Sequence, residues 1–135
     1  MRRFAANTRV SVERSRAEIE RFVIKYGASR LATVYEGDRC MMAFEFRGHR
    51  VRFVLPSPDR NKFKRPDMYA KEHRRLWRAF ALIIKAQLEG VVSGVFAFED
   101  VFLAHLVEPK SNKTYGELHA MQIGADRQLK AASHA

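Results

Sequence analysis

Cysteine is almost absent from this sequence, since Cys40 is the only one among 135 residues. A single cysteine cannot form a disulfide within the chain, and it cannot supply the several thiolates of a structural zinc site. Disulfides are rare in reducing compartments, and this composition suits such a compartment. We therefore expect a cytoplasmic protein whose fold is held by packing alone.

Long apolar runs are also missing. A membrane-spanning helix needs about 20 consecutive apolar residues, and the sequence contains no run of that kind. The first seven residues, MRRFAAN, carry basic side chains with no apolar stretch behind them. We therefore expect neither a membrane span nor a signal peptide.

Acidic residues are few relative to basic ones. The chain has 15 Asp and Glu against 25 Lys and Arg, which gives a net charge of +10 at neutral pH. A domain this basic attracts nucleic acid, anionic lipid or an acidic protein. High net charge also keeps small proteins soluble, so the charge alone does not identify a partner.

Apolar and aromatic residues are plentiful. Hydrophobic residues make up 47% of the chain, and ten Phe, four Tyr and one Trp supply aromatic area for a core. The length is typical of one domain, so we expect a single domain over 1–135. Within it we predict an N-terminal arm over 1–10 and a frayed tail over 129–135.

The first helix is predicted from a capping box, Ser15 to Glu18, in which each side chain satisfies an orphan backbone donor. Gly27 is expected to end this helix. Its apolar face is predicted to contain Ile19, Phe22, Val23 and Tyr26. The opposite face is interpreted as a mixed, solvated surface containing Arg14, Glu18, Glu20, Arg21 and Lys25.

Three short strands are predicted next, over 31–36, 39–46 and 50–55. Cys40, Met42, Phe44 and Phe46 are expected to point to one face of the second strand and Met41, Ala43 and Glu45 to the other, with the first set buried. Tight turns at 37–38 and 47–48 indicate an antiparallel meander. The first helix and a later long helix are expected to cover its apolar face.

The segment 56–68 holds three prolines and several basic residues. Because proline lacks a backbone donor and fixes φ, we predict a flexible basic loop there. A long amphipathic helix is predicted over 69–89, and two shorter helices follow, the first over 98–106 and the last opened by Thr114 and Glu117. The predicted fold class is therefore α+β.

Several stretches carry a family resemblance. They are 4–8 (FAANT), 12–20 (VERSRAEIE), 26–28 (YGA), 50–56 (RVRFVLP), 77–86 (WRAFALIIKA) and 98–105 (FEDVFLAH). Taken in order, they resemble a family of small proteins of unknown function from tailed bacteriophages and prophages. The likeness covers most of the chain and departs from the family around 60–67 and in the last helix. It implies a viral gene acting in the cytoplasm of a bacterial host, and it carries over no site residue.

Catalytic motifs are scarce. No glycine-rich phosphate loop, nucleophile elbow or paired-histidine zinc motif occurs, and the five histidines are scattered. Asp67, Glu108 and Lys110 mimic the spacing of a metal-dependent nuclease, but Pro109 would disrupt the strand that such a site needs. We therefore expect no enzyme activity, no metal site and no cofactor.

The basic residues of the loop and the long helix are the better candidate site. Lys and Arg neutralise phosphates with little dependence on sequence, and an aromatic ring can stack on an unpaired base. The predicted nucleic-acid-binding residues are Arg60, Lys62, Phe63, Lys64, Arg65, Lys71, Arg74, Arg75, Arg78 and Lys85.

Two functions fit this surface. The first is a phage accessory protein that contacts the phosphates of DNA or RNA. The alternative is a phage-encoded host-interaction protein that inhibits a bacterial defence or nucleic-acid-processing complex, for example an anti-CRISPR. A plain amphipathic helix, with its arginines solvated or paired with Glu72, would give the same sequence pattern.

Overall fold

Three consecutive antiparallel strands form the main sheet, and helices cover one of its faces. The computed structural model describes residues 3–36, 39–55 and 57–133. The main elements are α1 (Val12–Lys25), β1 (Ser29–Glu36), β2 (Arg39–Phe46), β3 (His49–Leu55), α2 (Pro66–Val92), α3 (Phe98–Phe102), β4 (Val107–Glu108), β5 (Lys113–Thr114) and α4 (Tyr115–Ser133). The predicted α+β class is confirmed.

The meander follows the predicted order β1-β2-β3. Cys40, Met42, Phe44 and Phe46 are all buried on one face of β2, as the alternation predicted. Arg47 and Gly48 both have positive φ values, 49° and 81°, which is the backbone of the tight turn favoured between antiparallel strands. The other predicted turn, at 37–38, lies outside the described residues.

The start of α1 differs from the prediction. Ser11 has an extended backbone, and its hydroxyl accepts a hydrogen bond from the Arg14 amide at 3.1 Å. Ser15 lies inside the helix and is fully buried. The capping box predicted at Ser15 and Glu18 is therefore wrong, because a serine one turn earlier already caps the helix.

The start of α2 also differs from the prediction. We expected no helix before Tyr69, yet α2 begins at Pro66. Proline is tolerated at the first helical position because the amide it lacks has no partner there. The helix also continues past Gly90 to Val92, and the chain turns at Gly94, whose φ is +83°.

Helices α1 and α2 pack side by side on the sheet. Ile19 and Val23 of α1 join Ile84 and Leu88 of α2 in one buried cluster with Met42 of β2. This arrangement matches the expectation that the first and the long helix cover the apolar face. It also brings the solvent-facing sides of the two helices next to each other.

In the C-terminal third, α3 contributes buried residues to the core, whereas α4 has no buried residue. Phe98 and Phe102 of α3 are fully buried, and a short 3-10 turn, Leu103–His105, follows. Strands β4 and β5 form a small hairpin that the sequence did not predict.

Helix α4 then runs through the part of the predicted tail that the structure describes, since it ends at Ser133. Residues 134 and 135 lie outside the described residues. Within the described ranges, no helix has both the length and the apolar character that a bilayer crossing requires.

Candidate functional site

The basic loop forms an aromatic cluster with the start of α2. The Arg60 guanidinium lies 4.6 Å from the centre of the Tyr69 ring, and the Phe63 ring meets the same ring edge-on at 6.2 Å. Lys62 and Lys64 are exposed and form no ion pair with the described carboxylates. The segment 60–65 therefore holds cations beside two half-buried aromatic rings.

Arg65, Arg75 and Arg78, which belong to the predicted site, each form an ion pair with a carboxylate. Arg65 pairs with Asp67 at 2.8 Å, Arg75 pairs with Glu72, and Arg78 pairs with Glu18 of α1. The Arg75 guanidinium also donates to the Phe4 carbonyl at 3.2 Å. The Arg75 and Arg78 side chains therefore tie α2 to the N-terminal arm and to α1.

Three other predicted cations line the same side of α2. Lys71, Arg74 and Lys85 share a helical face with Arg78, because their spacings are close to whole turns. Among the described residues, none of these three forms an ion pair with a carboxylate. The Lys85 ammonium lies 5.5 Å from the centre of the Phe22 ring on α1. This row of cations therefore borders α1.

A groove runs between α1 and α2 at this border. It has a volume of about 280 Å³, and apolar side chains, Phe22 among them, form part of its wall. Its charged lining residues are Glu18, Arg21, Lys25, Arg78 and Lys85. Four cations therefore face one carboxylate.

The pKa of the Glu18 carboxyl is shifted by the basic residues around it. The hydrogen bond from Arg78 lowers the pKa of the Glu18 carboxyl below its usual range, and the charges of Arg14 and Arg21 lower it further. A carboxylate surrounded by several guanidinium groups is stabilised in its charged form. The Glu18 carboxyl therefore stays charged beside Arg78 at neutral pH.

The prediction missed the contribution of α1 to this surface. Arg14, Arg21 and Lys25 were interpreted as part of a mixed, solvated face. They follow one another at spacings of seven and four residues, which places them on one side of the helix. The spacing alone could have shown that these three cations share one face of α1. The local sequence does not show that α2 packs beside that face.

The nuclease-like residues are engaged elsewhere. The Asp67 carboxylate pairs with Arg65, and the Glu108 carboxylate accepts hydrogen bonds from the amides of Lys110 and Ser111 at 3.2 and 2.7 Å. The bonds from Ser111, side-chain and backbone, are the largest cause of the lowered pKa of Glu108. No group of three or more metal-ligating side chains occurs within the described ranges.

Comparison of the chain with models of protein families, with curated proteins and with solved structures gives no significant match. The resemblance to a phage family therefore stays a prediction, and the function is argued from the site.

Proposed function

We propose that this protein binds nucleic acid through phosphate contacts along the α1–α2 groove and the adjoining basic segment 60–65. The observation that carries the proposal is the pairing of two cationic rows across one groove. One row is Arg21 and Lys25 on α1, and the other is Arg78 and Lys85 on α2. Glu18 is the one carboxylate among the lining residues of the groove.

The length of the surface suits a nucleic-acid strand. Lys71 and Lys85 are separated by fourteen helical residues, which corresponds to about 21 Å at ~1.5 Å per residue. One DNA strand carries a phosphate about every 3.4 Å along the helix axis. The α2 cations from Lys71 to Lys85 therefore extend over a length that several phosphates of one strand can reach, which suits a salt-sensitive interaction with little sequence preference.

The aromatic cluster at one end favours a strand with unpaired bases. Phe63 and Tyr69 are half-buried and lie beside Arg60, so a base that leaves the stack meets an aromatic ring next to a cation. Aromatic rings bind bases of any identity, because every base has a π face. We therefore propose single-stranded DNA or RNA as the preferred ligand class.

Binding should be measured by fluorescence anisotropy with labelled single-stranded DNA, single-stranded RNA and duplex DNA over a range of salt. The test variant reverses three cations that form no ion pair with a described carboxylate: Arg21→Glu, Lys25→Glu and Lys85→Glu. The control reverses three cations away from the groove: Lys110→Glu, Arg127→Glu and Lys130→Glu. Both sets change the net charge by the same amount.

The groove variant should lose at least tenfold in affinity, and the control should lose much less. Equal losses in the two variants would show that net charge acts without a defined surface, and an unaffected groove variant would contradict the proposal. A pull-down from bacterial lysate treated with nuclease tests the alternative. A stoichiometric protein partner that survives digestion, together with no binding to the labelled strands, would favour the host-interaction function.

A further inference from the structure

A hollow lies beyond the α1–α2 groove, at the end where both helices begin. Its last lining residue on α1 is Arg16, two residues before Glu18 of the groove, and its last on α2 is Arg74, about one turn before Arg78. The hollow has a volume of about 540 Å³, which is within the range of pockets that hold small ligands. A strand that leaves the groove at this end therefore meets the hollow.

Two tyrosine rings line this hollow, and they come from different elements. Tyr35 lies near the end of β1, and Tyr69 lies near the start of α2. The other lining residues that carry charge or titrate are Glu13, Arg16, His73 and Arg74. The hollow therefore combines aromatic surface with charged groups.

The Tyr35 ring is exposed but held in place. Tyr35 is 53% exposed. Its hydroxyl accepts a hydrogen bond from the Arg16 guanidinium, which also lies 5.7 Å from the centre of the ring. Arg16 is in turn 4.0 Å from the carboxylate of Glu20 on the same helix. An exposed ring that is already fixed loses little conformational freedom when a ligand stacks on it.

The Tyr69 ring is also fixed by its neighbours. Arg60 and Phe63 contact it from the basic segment, and the His73 ring lies 5.9 Å from it, measured between ring centres. Aromatic rings of this kind stack on any base, because every base has a π face. The hollow therefore offers two pre-organised rings, one from β1 and one from α2.

The fixed charge around the hollow is positive. Two guanidinium groups, those of Arg16 and Arg74, accompany one carboxylate, that of Glu13. Arg16 is engaged by Tyr35 and Glu20, whereas Arg74 forms no ion pair with a carboxylate of the described residues. A guanidinium group binds phosphate through charge-assisted hydrogen bonds. Arg74 is therefore the lining residue best suited to bind a phosphate.

We propose that this hollow binds one nucleotide, with its base in contact with the two tyrosine rings and its phosphate in contact with the Arg74 guanidinium. The inference rests on the proposed function, since the nucleotide is taken to be the unpaired end of a strand that lies in the groove. The hollow has aromatic and charged groups of its own. It should therefore also bind a free nucleoside 5′-monophosphate.

Binding of adenosine 5′-monophosphate should be measured by isothermal titration calorimetry, with adenosine and inorganic phosphate as the two partial ligands. The nucleotide should bind more tightly than either part, because it contacts the rings and Arg74 together. Tyr69→Leu and Arg74→Gln should each weaken this binding by at least about fivefold. Tyr69→Phe keeps the ring and should bind the nucleotide as the wild type does.

Matched controls are available on α4, away from the hollow. Tyr115→Leu removes a tyrosine ring that is 41% exposed, and Arg127→Gln removes a guanidinium group. Both should leave the affinity for the nucleotide unchanged. Tyr35→Leu repeats the ring test at an exposed position, and circular dichroism confirms that each variant is folded.

The groove variant separates this site from strand binding. The triple change Arg21→Glu, Lys25→Glu and Lys85→Glu should lose affinity for a labelled strand and keep most of its affinity for the mononucleotide. Nucleotide binding without any strand binding would support the site and contradict the proposed function.

Two results would overturn the nucleotide site. The first is a wild type that binds labelled strands but shows no binding of adenosine 5′-monophosphate at millimolar concentration, which leaves the proposed function intact. The second is nucleotide binding that is unchanged in both Tyr69→Leu and Arg74→Gln, because the nucleotide then binds elsewhere on the protein.

Discussion

The Arg78 guanidinium on α2 donates a hydrogen bond to the Glu18 carboxylate on α1, sixty residues earlier in the chain. The contact joins the two helices that cover the sheet. It also holds the one carboxylate of the groove in place between its cations. Glu18 therefore contributes to the fold while it reduces the positive potential of the groove.

Replacement of Glu18 should affect stability and binding in opposite directions. Glu18→Gln should lower the free energy of unfolding by about 0.5–1 kcal/mol, because the pair is partly exposed. It should also tighten binding to a nucleic-acid strand, because it removes the carboxylate from the groove. Urea denaturation and anisotropy measure the two effects, and Glu89→Gln, which has no charged partner among the described residues, is the control.

The same pair predicts a pH dependence. Folding lowers the pKa of Glu18 below its ordinary value of 4.5. The ion pair with Arg78 therefore stabilises the fold above pH 4.5, and this contribution is lost as the pH falls through the lowered pKa of the folded chain. The stability difference between wild type and Glu18→Gln should therefore shrink at acid pH. A difference that stays constant between neutral pH and about pH 3 would contradict the assignment.

Phosphate contacts at the groove predict a defined salt slope. Each phosphate neutralised contributes about 0.7–0.9 to the slope of log affinity against log salt. Lys25→Ala and Lys85→Ala should each reduce the slope by about that amount for one contact. Lys130→Ala on α4 should leave it unchanged, and an equal change in all three variants would argue against a localised surface.

Phe102 and Leu103 are adjacent in sequence, but the first side chain is buried and the second is exposed. Phe102 is fully buried and lies 4.8 Å from Phe98 and 6.1 Å from Phe53, measured between ring centroids. Phe102→Ala should lower the free energy of unfolding by about 3–5 kcal/mol. Leu103 is 54% exposed, so Leu103→Ala should lower it by less than about 1 kcal/mol. Thermal or urea unfolding measures both, and similar losses would contradict the burial of Phe102.

Two glycines of α4 should respond in opposite ways to alanine. A Cβ atom at Gly116 would lie 2.9 Å from the Ala104 carbonyl oxygen, whereas a Cβ atom at Gly124 would meet nothing within 4 Å. Gly116→Ala should therefore destabilise the docking of α4, and Gly124→Ala should raise helix stability by about 1 kcal/mol. Circular dichroism during thermal unfolding measures both, and stabilisation by Gly116→Ala would contradict the close approach.

Binding should occur without cleavage. A labelled strand incubated with the protein and Mg²⁺ should stay intact on a denaturing gel, because Asp67 and Glu108 are engaged by Arg65 and by backbone amides. Cleavage that disappears in Asp67→Ala and in Glu108→Ala would show that these residues form a metal site after all. A commercial nuclease on the same strand provides the positive control.

Local sequence patterns were sufficient for most of the secondary structure. The alternation over 39–46 and 50–55 identified the buried face of the sheet, since the period of two is a property of any strand. The helix starts at Ser11 and Pro66 were misjudged, because capping depends on a backbone geometry that several nearby residues can adopt. The predicted site residues lie in the loop and on α2, but carboxylates neutralise Arg65, Arg75 and Arg78, and the local sequence did not show the partner of Arg78 on α1.

The sequence by itself determined the net charge, the single cysteine and the apolar periodicity, because each is a property of the residue types and their order. The tertiary structure decided which charged side chains are neutralised by ion pairs and which cations lie close to one another. It placed Glu18 against Arg78, brought Arg21 and Lys25 across the groove from Lys85, and left α4 without a covering layer. Such pairings join residues distant in sequence, and electrostatic energy depends on distance and burial in the folded chain, which no local pattern specifies.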